Sequence, residues 1–144
     1  MSWQMPSVFL LILINPIMPQ IMKTIPGEKI PPANGHYSQC IEHNGTLYIS
    51  GQLPVDSATK QIPAGIEAQT QLVLEKIELI LKEAGSSREK VIRMRIYISD
   101  IVLWDKVNKV YMQFFGAHKP VRCVVPVGIL HYGCLIEAEC VAGI

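Results

Sequence analysis

The sequence predicts one α+β domain in which two helices pack on one face of a mixed β-sheet. Three observations favour this fold class: a hairpin signal at Asn44-Gly45, helical spacing of apolar residues over 66–84, and alternating side chains over 91–99. A chain of 144 residues suits a single hydrophobic core, so we expect these elements to share one domain.

The first predicted elements are two strands and a helix. The strands, 38–43 and 46–50, flank Asn44-Gly45, a dipeptide that favours the two-residue turn of a β-hairpin. Between 66 and 84, apolar residues recur every three or four positions and charged residues occupy the other faces, which is typical of a helix packed on a core. Gly85 follows and is suited to end that helix.

The second half of the chain adds a strand, a helix and two further strands. Over 91–99 the side chains alternate, as they do in a half-buried strand. Ser99 and Asp100 are suited to cap a second helix that runs to about residue 115, and strands at 121–127 and 135–142 complete the order ββαβαββ. A helical crossover favours parallel pairing of the middle strands.

The apolar character of these strands has a consequence for assembly. Two helices cover only one face of such a sheet, which leaves the far face apolar. Further copies of the same chain are the most economical cover for that face, so we expect a homo-oligomer.

Charge and its distribution argue against a nucleic-acid partner. The net charge is +1, and the basic residues are scattered along the chain. The densest basic group lies between 82 and 95 and has no interleaved aromatic residues on which bases would stack. We interpret this group as solvated surface.

The N-terminal segment is apolar but short. The run VFLLILI at 8–14 has seven residues, whereas a membrane-spanning helix needs roughly 20. We therefore expect no membrane association and interpret residues 1–21 as an extension outside a core domain of residues 22–144.

The four cysteines bear on compartment and metal binding. Cys40, Cys123, Cys134 and Cys140 form no Cys-x-x-Cys pair, and no histidine lies at zinc-finger spacing from them. Each lies in an apolar, strand-like stretch, where cysteine behaves as a small hydrophobe. The pattern predicts a reduced cytoplasmic protein with thiols in its core and without a metal site.

Arg122 is the only charge in the run PVRCVVPVGIL at 120–130. A covered guanidinium cannot lose its proton, so it needs an anionic partner. One alternative is a protein carboxylate, and Glu137 and Glu139 lie on the following strand. The other alternative is a small acidic ligand.

Six motifs stand out between residues 35 and 142. They are GHYSQ (35–39), YISGQLPVD (48–56), EAG (83–85), YISD (97–100), VNKVYMQFFGAHKPVR (107–122) and IEAECVA (136–142). As a set, in this order and spacing, they resemble the RidA/YjgF family of reactive intermediate (enamine/imine) deaminases. The resemblance runs from about residue 23 to the C-terminus.

The resemblance implies a fold and an activity. The fold is chorismate-mutase-like, assembled as a homotrimer with three clefts between neighbouring subunits. The activity is hydrolysis of 2-aminoacrylate and its imine tautomers to 2-oxo acids and ammonia, as in a 2-iminobutanoate/2-iminopropanoate deaminase. No metal and no organic cofactor are implied.

The resemblance also implies roles for six residues. Arg122 matches the arginine that binds the substrate carboxylate, and Glu137 matches the glutamate that positions water; these two are the expected catalytic residues. The residues expected to line or support the substrate site are Tyr37, Ser50, Gly51 and Asn108. A planar carboxylate suits the fork of a guanidinium, which makes two parallel hydrogen bonds to it.

Other interpretations fit the same residues. Tyr37 also suits an ordinary strand position, Ser50 also suits turn chemistry, and Asn108 also suits a purely supporting role. The same arginine would serve a non-catalytic binder or sensor of small 2-oxo or amino acids. The stretch 126–135 departs from the family pattern and makes the mouth of the cleft more apolar.

Overall fold

The computed structural model describes residues 21–144. The apolar run at 8–14, with all of the predicted extension except Ile21, lies outside the described residues. The strands and α-helices are β1 Lys23–Thr24, β2 Cys40–His43, β3 Thr46–Gln52, α1 Ile66–Glu83, β4 Val91–Ile98, α2 Trp104–Phe115, β5 Val121–Pro126 and β6 Ile136–Gly143.

The strands form one mixed sheet in the order β1-β2-β3-β6-β4-β5. Only β4 and β5 pair in parallel, and every other neighbouring pair is antiparallel. The predicted α+β class and the parallel crossover through the second helix are confirmed. The last two strands are consecutive in the chain but do not pair, because β4 lies between them.

The predicted hairpin forms between β2 and β3. His43 pairs with Thr46, so Asn44 and Gly45 make up the whole connection. Both have positive φ, 53° and 73°, which is the backbone conformation of a type I′ turn. Asparagine and glycine adopt this conformation more readily than other residues, so the dipeptide fixes the hairpin locally.

The core lies between the sheet and the two α-helices. Strand alternation directs one set of side chains from each strand toward α1 and α2, and we call that side of the sheet the helix face. Buried residues that meet there include Met94, Ile96 and Ile98 of β4, Ile136, Ala138 and Cys140 of β6, Val73, Leu74 and Ile77 of α1, and Val107, Val110 and Tyr111 of α2.

A short 3-10 helix introduces α2. The Oδ1 atom of Asp100 accepts a hydrogen bond from Val102 N at 3.0 Å, and the chain then passes through Ile101–Leu103 into α2. Gly116 ends α2 with φ 60°. The predicted cap at Asp100 is thus confirmed, with one turn of 3-10 helix between it and α2.

The opposite side of the sheet, which we call the outer face, is not covered by any element within residues 21–144. Tyr48, Val121 and Val125 are each more than 40% exposed there. Cys123 is also exposed on this face, so the prediction of a core thiol is wrong for it. Alternation along β5 turns Arg122 toward the helices and therefore turns Cys123 away from them. No helix of the described residues is long and apolar enough to cross a membrane.

Candidate functional site

Arg122 lies on the edge strand β5 and points to the helix face. Its pairing partner on β4 is the fully buried Met94, and directly opposite residues of a sheet share a face. Arg122 Nη1 donates to Asn108 Oδ1 of α2 at 3.0 Å. The guanidinium carbon lies 4.6 Å from the ring centroid of Tyr111 and 5.5 Å from that of Trp104.

The aromatic rings are well suited to hold this cation. Burial raises the pKa of Tyr111 to about 12, so the ring beneath the guanidinium is a neutral phenol at ordinary pH. A cation over a ring face is attracted by the ring quadrupole, and Arg is the usual cation in such pairs. The rings and the Asn108 amide together fix the orientation of the guanidinium, which is half-buried at the edge of the sheet.

The structure bears on the first of the two partners left open for Arg122, a protein carboxylate. Within residues 21–144, no carboxylate lies at salt-bridge distance from it. Glu139 instead accepts a hydrogen bond from Arg95 Nη1 at 2.8 Å. Glu137 lies opposite Tyr97. An intramolecular ion pair of Arg122 is therefore absent from this part of the chain, and the guanidinium is left for an anion from elsewhere.

Glu137 lies on β6 and points to the outer face. It is half-buried, and that burial raises the pKa of its carboxyl group; Glu139 acts in the same direction, and His131 opposes them. A carboxyl group with a raised pKa holds a proton more readily and is a better general base when ionised.

Gly51 allows the close approach of Glu137 to β3. A Cβ built on Gly51 would overlap Glu137 Oε1 and crowd the rest of that carboxylate. The irregular pairing of β3 with β6 between Ile49 and Gln52 places this glycine beside the acid. Any larger residue at position 51 must displace the carboxylate.

Ser50 is held in a hydrogen-bond network of two glutamines. Its Oγ donates toward Gln39 at 3.2 Å, and Gln52 Nε2 donates to Gln39 Oε1 at 2.8 Å and to Ser50 O at 3.1 Å. Gln52 is only 4% exposed, so these bonds satisfy a buried amide. Ser50 therefore shapes the backbone beside Gly51. Sequence reasoning missed Gln39 and Gln52, although both stand inside the quoted motifs GHYSQ and YISGQLPVD.

Tyr37 lines a cavity that also includes Gly51, the residue beside Glu137. The cavity has a volume of about 400 Å³, and its walls include Gly51, Lys76 and Tyr132 as well as Tyr37. Tyr37 is 49% exposed, so its ring lies at the rim.

The six expected site residues thus fall into two groups. Arg122 and Asn108 meet on the helix face, whereas Glu137 and Gly51 meet on the outer face with Ser50 and Tyr37 nearby. Arg122 aligns with Met94, Glu137 aligns with Tyr97, and β4 separates their strands. That offset is about 10 Å along the strands and about 10 Å across them. One protomer does not bring the two expected catalytic residues together.

These features define a class: a chorismate-mutase-like α+β protein with a half-buried arginine at a sheet edge and a half-buried glutamate on the opposite face. A family model described as "Endoribonuclease L-PSP" matches residues 27–144. The chain belongs to this family, the RidA/YjgF family, as the motifs had indicated.

Curated relatives and solved structures agree with this assignment. A RutC family protein of Pyrococcus abyssi is 40% identical over 80% of this chain and 91% of its own length. TdcF of Escherichia coli, named as a candidate reactive intermediate deaminase, is 35% identical over 83% and 95%. The crystal structure of E. coli TdcF with bound serine matches with a TM-score of 0.80 and 34% identity over 85% of this chain and 98% of that one.

Proposed function

We propose that this protein hydrolyses small 2-imino acids of the 2-aminoacrylate type to 2-oxo acids and ammonia, in clefts shared between copies of the chain. The observation that carries the proposal is the half-buried Arg122 guanidinium with no carboxylate partner within residues 21–144. The name of TdcF as a candidate reactive intermediate deaminase supports the reaction class.

Arg122 binds the substrate carboxylate. Asn108 and the ring of Tyr111 already fix the plane of the guanidinium, so its remaining N–H groups are available for two parallel bonds to the carboxylate. A substrate held at one end has its imine carbon at a defined position. Positioning supplies most of the acceleration, because such imines already react with water unaided.

Glu137 positions and activates the water. Its ionised carboxylate accepts a proton from the water as the water oxygen bonds to the imine carbon and the C=N electron pair moves to the nitrogen. The carboxyl group passes that proton to the nitrogen, which gives a neutral carbinolamine and regenerates the carboxylate. The carboxylate then accepts the hydroxyl proton and passes it to the amine nitrogen as the carbonyl forms, the carbon–nitrogen bond breaks and ammonia leaves. General base catalysis of this kind contributes about 10²–10⁴-fold.

Assembly into a homotrimer completes the site under this proposal. Since Arg122 and Glu137 lie on opposite faces of one sheet, a cleft that holds both needs Arg122 from one copy and Glu137 from another. The exposed apolar outer face supports association of copies. The trimeric state itself is what the family resemblance implies.

A non-catalytic binder of small amino or 2-oxo acids is the second candidate. The bound serine in the TdcF crystal structure favours it, because serine is an amino acid and not an imine. Glu137→Gln separates the candidates: an enzyme loses turnover but keeps carboxylate binding, whereas a binder has no turnover to lose.

The first test is release of 2-oxo acid from 2-aminoacrylate generated in situ, with semicarbazide present to trap free imine. We expect wild type to accelerate release, Arg122→Ala to abolish the acceleration, and Arg122→Lys to restore only part of it because the fork is lost. Lys90→Ala, which removes an exposed cation, is the control and should match wild type. Equal release with and without wild-type protein would overturn the deaminase proposal.

Setting and partners complete the proposal. The four free cysteines fit a reducing compartment, and we place the protein in the cytoplasm with residues 22–144 as the functional domain. The family description includes an endoribonuclease, so retention on RNA that falls with salt would instead support a nucleic-acid partner.

A further inference from the structure

The cavity lined by Gly51 and Tyr37 has a half-buried cation, Lys76, in its wall. Lys76 of α1 is half-buried, and its Nζ donates to Leu53 O at 2.8 Å and to Val55 O at 3.1 Å. An ammonium has three N–H groups, so one remains after these two bonds. Within residues 21–144, no carboxylate lies at salt-bridge distance from Lys76. Burial lowers the pKa of Lys76; Cys134 and Asp56 oppose this shift, and the Lys60 ammonium acts in the same direction as burial.

The wall of the cavity also carries a second cation and neutral hydroxyl and amide groups that can donate hydrogen bonds. Lys60 lies in the same wall, and the hydroxyl groups of Tyr37 and Tyr132 belong to side chains that line it. The carboxylate of the wall, Asp56, uses its Oδ1 to accept bonds from Ala58 N, Thr59 N and Thr59 Oγ1, which close its own turn. A partly desolvated cation among donors is stabilised by an anion in the cavity.

Tyr132 adds a second indication that the cavity has a function. Its φ is 57°, in the left-handed region that a tyrosine adopts only at a cost. Backbone strain of this kind persists where the surroundings enforce it and is common at ligand sites. The strained turn carries the phenol ring to the mouth of the cavity.

Distances along the chain connect the cavity to the expected reaction centre. Gly51 contacts Glu137, and Leu53, two residues further on, accepts the hydrogen bond from Lys76. Two residues of chain span at most about 7 Å, so Gly51 and Leu53 lie within that distance of each other. Two methylene groups between an imine carbon and a distal carboxylate, followed by a hydrogen bond, span about 7 Å, which is compatible with this limit.

We propose that Lys76 and Lys60 form a subsite for a second carboxylate, so that the preferred substrate is the imine of an acidic amino acid of glutamate length. The inference rests on the proposed function, in which Arg122 of another copy binds the first carboxylate. Lys76 provides the half-buried charge, Lys60 provides an exposed charge at the rim, and the imine carbon lies next to Glu137.

The test compares two imines of equal carbon length, formed in situ by amino acid oxidases from glutamate and from norvaline. We expect wild type to show at least tenfold higher kcat/KM on the glutamate imine. Lys76→Gln keeps an amide donor for the Leu53 and Val55 carbonyls but removes the charge. It should lose about tenfold more kcat/KM on the glutamate imine than on the norvaline imine, mainly through KM. Lys82→Gln, on the exposed side of the same helix, should change neither.

A binding measurement keeps this inference separate from the proposed function. Calorimetry with glutarate and pentanoate needs no turnover. Tighter binding of glutarate to wild type, lost in Lys76→Gln, supports the subsite even if neither imine is hydrolysed, a result that would overturn only the deaminase proposal. Equal affinity for the two acids, or equal losses of kcat/KM on both imines, overturns the subsite and leaves the deaminase proposal intact.

Discussion

At the scale of single residues, partial burial of Glu137 and of Arg122 is accommodated in different ways. A carboxyl group responds by a raised pKa, because burial disfavours its charged form. A guanidinium keeps its proton, and its charge is accommodated by an amide and two ring faces. The first residue is therefore suited to proton transfer and the second to a fixed charge.

Glu137→Gln should raise thermal stability at neutral pH. The folded pKa of Glu137 lies above its unfolded value, so its contribution to stability is present below the unfolded pKa and is lost as pH rises through the folded pKa. Glutamine removes the buried charge, so the thermal midpoint should rise at pH 7 and change little below pH of about 4. Thermal unfolding at both pH values is the measurement.

A matched control for this prediction is Glu28→Gln. That substitution removes an exposed carboxylate and should leave the midpoint at pH 7 unchanged. A lower midpoint for Glu137→Gln at pH 7 would show that the carboxylate stabilises the fold, contrary to the argument from burial.

Gly51→Ala should impair catalysis without unfolding the protein. The new Cβ overlaps Glu137 Oε1, so the carboxylate must move, and displacements of about 1 Å cost up to about a hundredfold in rate. We expect kcat to fall roughly tenfold or more in the assay of imine hydrolysis. Gly143→Ala is the control, because a Cβ there meets no atom within 4 Å. Equal kcat values for the two variants would remove Gly51 from the site.

At the scale of elements, α2 and β5 together present Arg122. The helix supplies Asn108 and Tyr111, and the edge strand supplies the arginine, so the entry into α2 affects the geometry of the guanidinium. That entry depends on the Asp100 cap and the short 3-10 helix after it.

Asp100→Ala should lower the free energy of unfolding by about 1 kcal/mol, the usual effect of losing an N-terminal cap. The lost bond is the one from Val102 N to Asp100 Oδ1. Asp100→Asn keeps an oxygen acceptor and should lose clearly less. Urea denaturation of the three proteins is the measurement, and equal stability of wild type and Asp100→Ala would show that the cap contributes nothing.

Local signals explain how far the elements were predictable. The hairpin turn at Asn44-Gly45, the helix over α1 and the Asp100 cap depend on residues close in sequence, and the structure confirms them. The placement of β6 between β3 and β4 depends on contacts between distant parts of the chain. For that reason the sequence left an Arg122–Glu137 ion pair open, and the structure places β4 between their strands.

The same reasoning applies to the candidate site. Arg122 was recognisable because one charge stands in an apolar run, and Glu137 because of the family motif. The Gln39–Ser50–Gln52 network was not recognised, because its hydrogen bonds join β3 to the loop that precedes β2. The exposure of Cys123 was missed because an apolar stretch does not reveal which face the helices cover. The roles of Tyr37, Ser50 and Asn108 toward a substrate stay predictions.

At the scale of the whole molecule, the two faces of the sheet carry different functional groups. The helix face holds the core and, at its edge, the guanidinium. The outer face holds Glu137 and a set of exposed apolar side chains that includes Tyr48, Val121 and Val125. Association through the outer face would bury apolar area and bring Arg122 of one copy close to Glu137 of another.

Val125→Asp should therefore dissociate the assembly and abolish imine hydrolysis together. Val125 is 41% exposed on β5, and a carboxylate there is costly to bury in an interface. Sedimentation should give the mass of about three chains for wild type and a smaller mass for the variant. Val102→Asp, at a position 76% exposed on the short 3-10 helix, is the control and should sediment like wild type. A wild-type mass of one chain would contradict the shared cleft.

If the proposed cleft takes Arg122 from one copy and Glu137 from another, the catalytic capacity of a cell depends on the abundance of this chain. A cleft that needs two chains forms according to mass action, so dilution removes clefts faster than it removes chains. A cell that halves its supply of this chain near the dissociation constant would lose more than half of its catalytic capacity. Protein concentration would then act as a control on activity without any effector or modification.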